Sequence, residues 1–65
     1  MKEYQKRVVE EKRELDIKWN KLVLFMKKDD FKNLSDDEKE RMRRQEMAMG
    51  MYSEVLGERI DAFGK

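Results

Sequence analysis

A stripe of mostly apolar side chains recurs at helical spacing through the second half of the chain. Its members follow one another at alternating intervals of three and four residues: Met42, Gln45, Met49, Tyr52, Leu56, Arg59 and Phe63. This spacing places side chains on one face of an α-helix. Ser35 followed by Glu38 fits a capping box at the start of that helix, with carboxylates at the positive end of its dipole. The pattern predicts a helix over residues 35–63.

The first half of the chain carries a second stripe of the same period. Its apolar members are Tyr4, Val8, Leu15, Leu22 and Phe25, with Trp19 and Met26 beside them. Two positions of this stripe are charged, namely Glu11 and Lys18. Oppositely charged residues four apart, such as Arg7 and Glu11, add support to the same helix. The pattern predicts a first helix over residues 3–28.

The two predicted helices are joined by a short polar connection over residues 29–34. A short connection makes two long helices antiparallel neighbours, so we expect an all-α helical hairpin that forms one domain over residues 1–65. The apolar positions then face each other in pairs: Leu22 with Met42, Leu15 with Met49, and Val8 with Leu56. The polar positions of the two stripes meet between these pairs, Lys18 near Gln45 and Glu11 near Tyr52.

The small size of the chain predicts self-association. A chain of 65 residues rarely buries enough apolar area to be stable alone, and with no cysteine it has no disulfide to compensate. Apolar residues off the main stripes, such as Ile17 and Met51, add further surface to cover. We expect a dimer that forms a four-helix bundle, or a higher homo-oligomer. The predicted interface comprises Val8, Leu15, Trp19, Leu22, Met42, Met49 and Leu56.

Composition narrows the classes of function. Charged residues make up 48% of the chain but nearly cancel, to a net charge of +1, which argues against a simple polyanion binder. With no histidine and no cysteine, neither a metal site nor any other cofactor is predicted. No apolar run is long enough for a membrane span, so we expect no membrane partner and a cytoplasmic protein.

Nothing in the sequence predicts catalysis. A serine nucleophile needs an adjacent base, most often histidine, and the chain has none. Ser35 is explained as a helix cap, and Ser53 lies in mid-helix without a strained turn around it. We therefore assign no catalytic residue and expect a protein that is not an enzyme.

The polar positions within the two stripes form the sharpest hypothesis about binding. These are Glu11, Lys18, Gln45, Tyr52 and Arg59. One interpretation is a buried, hydrogen-bonded layer that fixes helix register and oligomeric state. The other is a polar pocket between subunits for a small anionic or nucleotide ligand.

A basic run offers a second candidate site. Arg41, Arg43 and Arg44 could hold the phosphates of a nucleic acid. The alternative is a solvated helix face in which these arginines pair with carboxylates three or four residues away, such as Glu40.

The chain resembles a family of very short proteins encoded by tailed bacteriophages and prophages, including crAss-like phages. The residues that carry the resemblance are Arg7, Val8, Glu11, Leu15, Lys18, Lys21, Leu22, Phe25, Phe31, Leu34, Glu38, Gln45, Met49, Tyr52, Leu56, Arg59 and Ile60. The resemblance implies a phage-encoded accessory protein, not a virion enzyme. Small phage proteins of this kind often block a host defence protein or sequester a nucleotide signal.

The leading expectation for function is therefore a non-catalytic phage accessory protein that modulates the host. It would inhibit antiviral defence by binding a host protein or by sequestering a signalling nucleotide. One alternative is an RNA- or DNA-binding regulator built as a hairpin dimer, and another is a structural coiled-coil adaptor.

Overall fold

The computed structural model describes residues 1–64 and folds them into two long helices and one short one. Helix α1 spans Glu3–Met26, α2 spans Asp29–Lys32, and α3 spans Asp36–Ala62. The part of the chain that is described contains no β-strand. Helices α1 and α3 pack against each other, and the Cα atoms fill a rod 46 Å long and 15 by 14 Å across. The predicted all-α helical hairpin is confirmed.

The start of α3 follows from its capping residue. Ser35 has an extended backbone, and its Oγ accepts a hydrogen bond of 3.1 Å from the backbone N–H of Glu38. Three acidic residues follow Ser35 in the first turn, where the helix dipole favours negative charge. The helix ends at Ala62, with Phe63 as its C-cap, one residue earlier than the sequence pattern predicted.

The connection between the long helices contains a short helix where the sequence predicted only a turn. Helix α1 ends at Met26 rather than near residue 28, and the single turn of α2 follows. Phe31 of α2 is buried and meets the ring of Phe25 edge to face, with 6.4 Å between ring centroids. The guanidinium of Arg43 also lies over the Phe31 ring, 5.8 Å from its centroid. Phe31 therefore closes one end of the hairpin.

The core between α1 and α3 is thin. Val8 and Leu56 are buried, the latter with only 1% of its surface exposed. The other five residues of the predicted oligomer interface are half-buried in the single hairpin: Leu15, Trp19, Leu22, Met42 and Met49. Tyr4 and Phe63 close the open end of the hairpin, with an edge-to-face ring contact of 5.7 Å. This interface set thus lines the contact between the two helices of one chain, and its role between chains stays a prediction.

None of the helices in residues 1–64 combines the length and the apolar character that a membrane-spanning segment requires.

Candidate functional site

Lys12, Asp16 and Ser53 form a polar cluster that joins α1 to α3. The Lys12 Nζ donates hydrogen bonds to Ser53 Oγ at 2.8 Å and to Asp16 Oδ2 at 2.9 Å. The Ser53 hydroxyl in turn donates a short hydrogen bond to Asp16 Oδ1. Ser53 is only 3% exposed, so this bonding satisfies a hydroxyl that would otherwise be buried without a partner. The cluster fixes the position of α3 against α1.

The electrostatics of this cluster favour an ionised Asp16. The hydrogen bond from Ser53, followed by that from Lys12, holds the pKa of Asp16 below its ordinary value. Both groups donate to the charged form of the carboxyl, which stabilises it relative to the protonated form. The Ser53 hydroxyl therefore donates a hydrogen bond to the ionised carboxylate of Asp16. It also accepts a hydrogen bond from the charged ammonium group of Lys12.

Trp19 and Glu46 make a second polar link between the helices. The indole Nε1 of Trp19 donates a hydrogen bond of 2.8 Å to Glu46 Oε2. The same ring lies against Gly50, where a Cβ atom would come within 3.1 Å of Trp19 Cζ2. Gly57, one heptad further along α3, lies beside Lys12 in the same way, and a Cβ there would be 3.5 Å from Lys12 Cε. The two mid-helix glycines thus mark the strip of α3 that meets α1 closely.

The residues of the predicted polar stripe do not make these contacts. Each of four lies one position before a residue that does: Glu11 before Lys12, Lys18 before Trp19, Gln45 before Glu46, and Tyr52 before Ser53. One position turns the side chain by about 100° around the helix axis. All five predicted residues, Arg59 included, are exposed in the single hairpin.

These exposed residues share one broad side of the hairpin. On either helix, the residue one position closer to the N-terminus points about 100° away around the helix axis. Because α1 and α3 run in opposite directions, this rotation turns the side chains of both helices toward the same side of the hairpin. Glu11 and Lys18 on α1 therefore lie on the side that Gln45, Tyr52 and Arg59 occupy on α3. We call these five residues the polar face. The Trp19–Glu46 hydrogen bond and the Tyr4–Phe63 ring contact set the register of the two helices. This register places Lys18 and Arg59 roughly 15–18 Å apart along the hairpin.

The polar face combines groups that suit a charged, partly aromatic ligand. Lys18 and Arg59 supply cations, Tyr52 supplies a ring, and Glu11 and Gln45 supply hydrogen-bonding groups. None of its three charged members takes part in an ion pair within residues 1–64. The face is open: no enclosed pocket is found in this part of the chain.

Two of the three arginines in the basic run Arg41, Arg43 and Arg44, which suggested nucleic-acid binding, make contacts within α3 or with α2. Arg41 Nε donates a hydrogen bond of 2.9 Å to Glu38 Oε1. Arg43 Nη1 lies 3.8 Å from Glu40 Oε2, and the guanidinium of Arg43 also covers the ring of Phe31. Arg44 has no ion-pair partner within residues 1–64. Carboxylates three residues away thus accompany two of the three arginines.

Sequence reasoning missed the residues that join the helices, although two signals pointed to them. In the sequence, Lys12 and Asp16 are oppositely charged residues four apart, a spacing that indicates only support for α1. The spacing of Gly50 and Gly57 singles out the strip of α3 that also contains Ser53. Among the described residues, no group of three or more side chains is arranged to hold a metal ion.

Comparison with known proteins assigns the chain to a family. No curated protein and no solved structure matches the chain. The profile of the Sequestin family matches residues 2–62, which include both long helices and the whole polar face. The chain therefore belongs to the Sequestin family.

Proposed function

We propose that this protein is a non-catalytic, phage-encoded accessory protein that sequesters a signalling nucleotide in the cytoplasm of the host cell and so inhibits antiviral defence. Membership of a family whose name denotes sequestration supports a binding role. The polar face supplies the chemistry for such a ligand, and it is the observation on which the proposal rests.

Each group of the polar face has a place in nucleotide recognition. Lys18 and Arg59 would each hold a phosphate, because an ammonium and a guanidinium both form charge-assisted hydrogen bonds with phosphate oxygens. The Tyr52 ring, 45% exposed, would stack on a base. Gln45 and Glu11 would bond the polar edge of the base or the ribose hydroxyls.

A second copy of the chain would complete the site. A ligand on an open face stays in contact with water, whereas small-molecule sites generally bury most of the ligand surface. Half-buried apolar side chains such as Leu15 and Met49 lie beside the polar face and would pack against the same residues of the second copy. The ligand would then lie between two polar faces, which is the subunit pocket expected from the sequence.

A thermal-shift screen with single-residue variants tests the proposal. Mononucleotides, linear dinucleotides and cyclic dinucleotides would each be added to the wild-type protein, and a ligand that binds the folded state raises the Tm. Lys18→Ala and Arg59→Ala should abolish the shift. Lys6→Ala and Arg13→Ala are matched controls, because both are exposed cations of α1 that lie away from the polar face. Equal shifts in all four variants would contradict the assignment of the site.

Binding of a host defence protein is the second route to the same role. The polar face would then be covered by a protein surface, and no nucleotide would change the Tm. Copurification of one host protein with the wild type, and its loss with Lys18→Ala, distinguishes this route from nucleotide sequestration.

A further inference from the structure

The edge of α3 that faces away from α1 carries a stripe that the hairpin leaves uncovered. Its members alternate at intervals of four and three residues: Arg44, Ala48, Met51, Val55, Glu58 and Ala62. We call these six residues the outer stripe. All are exposed; Met51 has 69% and Val55 53% of its surface accessible. The spacing is that of a helix that packs along its length against another helix.

The outer stripe is complementary in charge to itself. Arg44 and Glu58 lie seven residues before and seven residues after Met51. When two copies of α3 lie antiparallel with their Met51 residues together, Arg44 of each copy comes beside Glu58 of the other. Neither residue has an ion-pair partner within residues 1–64. A contact in which the same patch serves on both subunits requires this kind of symmetry.

The size of the side chains fits the same arrangement. Met51 and Val55 form the apolar centre of the outer stripe, while Ala48 and Ala62 are small enough to let two helices approach closely. The corresponding edge of α1 offers no comparable surface, because the exposed aliphatic residues of α1, Val9, Ile17 and Leu24, are separated by polar positions.

We propose that the outer stripe of α3 is a homodimer interface, in which two copies pack antiparallel about a two-fold axis beside Met51. The resulting four-helix layer has the order α1, α3, α3, α1. A two-fold axis perpendicular to this layer keeps the two polar faces on the same side. This contact is therefore separate from the face-to-face contact that would enclose the ligand, and the two contacts together would form a tetramer. The interface uses no residue of the polar face, so it stands independently of nucleotide binding.

Charge reversal tests the proposal through the mass of the protein in solution. By sedimentation velocity over a range of concentrations, Arg44→Glu and Glu58→Arg should each weaken self-association by about tenfold or more, since each change creates two like-charge contacts per dimer. The double variant Arg44→Glu/Glu58→Arg should restore association. An equimolar mixture of the two single variants should also associate, because every cross-chain contact then joins opposite charges. Unchanged association in both single variants would overturn the proposal, and so would a wild type that stays monomeric at all concentrations.

Cross-linking tests the position of the axis. The chain has no cysteine, so Met51→Cys introduces the only thiol. Mild oxidation should convert this variant to a disulfide-linked dimer, whereas Asn20→Cys, an exposed position on α1, should remain largely unlinked. Equal cross-linking of the two variants would overturn the proposed axis. Circular dichroism of each variant establishes that the hairpin is folded, which is expected because all of the substituted side chains are exposed.

Discussion

The indole ring of Trp19 lies over Gly50, so close that a Cβ on residue 50 would stand 3.1 Å from Trp19 Cζ2. The ring cannot retreat without cost, because its Nε1 is hydrogen-bonded to Glu46. A glycine in mid-helix costs about 1 kcal/mol relative to alanine. At this position the cost is offset by the packing of the largest side chain in the chain against the backbone of α3.

Alanine substitutions at the two mid-helix glycines should have opposite effects on stability. Gly57→Ala should raise the free energy of unfolding by about 1 kcal/mol, since its Cβ would meet Lys12 Cε at an ordinary 3.5 Å. Gly50→Ala gains the same helix propensity but displaces Trp19 from Glu46, and should lower stability below that of the wild type. Urea denaturation followed by circular dichroism measures both. An equal gain in the two variants would refute the close approach at Gly50.

Removal of the indole N–H of Trp19 should destabilise the hairpin, because Glu46 then loses its hydrogen-bond donor. Trp19→Phe leaves the half-buried Glu46 carboxylate without its donor, and the loss should be at least about 1 kcal/mol. Making Glu46→Gln in the Trp19→Phe background removes the unpaired charge and should recover part of that loss. A double variant no more stable than Trp19→Phe would show that the hydrogen bond contributes little.

Stability should depend on pH through Asp16. Its pKa is lowered in the folded state by the hydrogen bonds from Ser53 and Lys12, so its contribution is present above the unfolded-state pKa of about 3.9 and is lost as the pH falls through the folded-state pKa. The side chain is 41% exposed, and screening by solvent should keep the effect below about 1 kcal/mol. Asp16→Asn should be less stable than the wild type at pH 6 and should converge with it near pH 2. A constant difference between the two across this range would contradict the assignment.

Ser53→Ala provides a separate test of the same cluster. The hydroxyl is the largest contributor to the lowered pKa of Asp16, so its removal should raise that pKa toward the ordinary value. Titration of the Asp16 carboxyl by NMR measures this directly in the wild type and in the variant. The same pKa in both proteins would mean that Lys12 alone sets it.

The sequence predicted the hairpin correctly because its signals are local. The cap at Ser35 and the three-four spacing from Met42 onward depend on neighbours within a few turns, and both helices formed near the predicted bounds. The rotation of each helix about its own axis was harder to predict from the sequence. A stripe of half-apolar residues is wide enough that its centre can shift by one residue. Contacts between the helices, such as the packing of Trp19 on Gly50 and the hydrogen bond from Lys12 to Ser53, determine which strip of α3 meets α1. As a result of this shift, Tyr52 is exposed and the neighbouring Ser53 is buried between the helices.

The fate of a bound nucleotide tests the central claim most directly. The wild-type protein would be saturated with the nucleotide that gives the largest thermal shift, freed of excess ligand by gel filtration, and then denatured, and the released compound would be identified by mass spectrometry. Sequestration on the polar face predicts that the wild type returns the nucleotide chemically intact and in a fixed ratio to the protein, while Lys18→Ala and Arg59→Ala return almost none. A chemically altered nucleotide, or equal recovery from the wild type and both variants, would contradict the account.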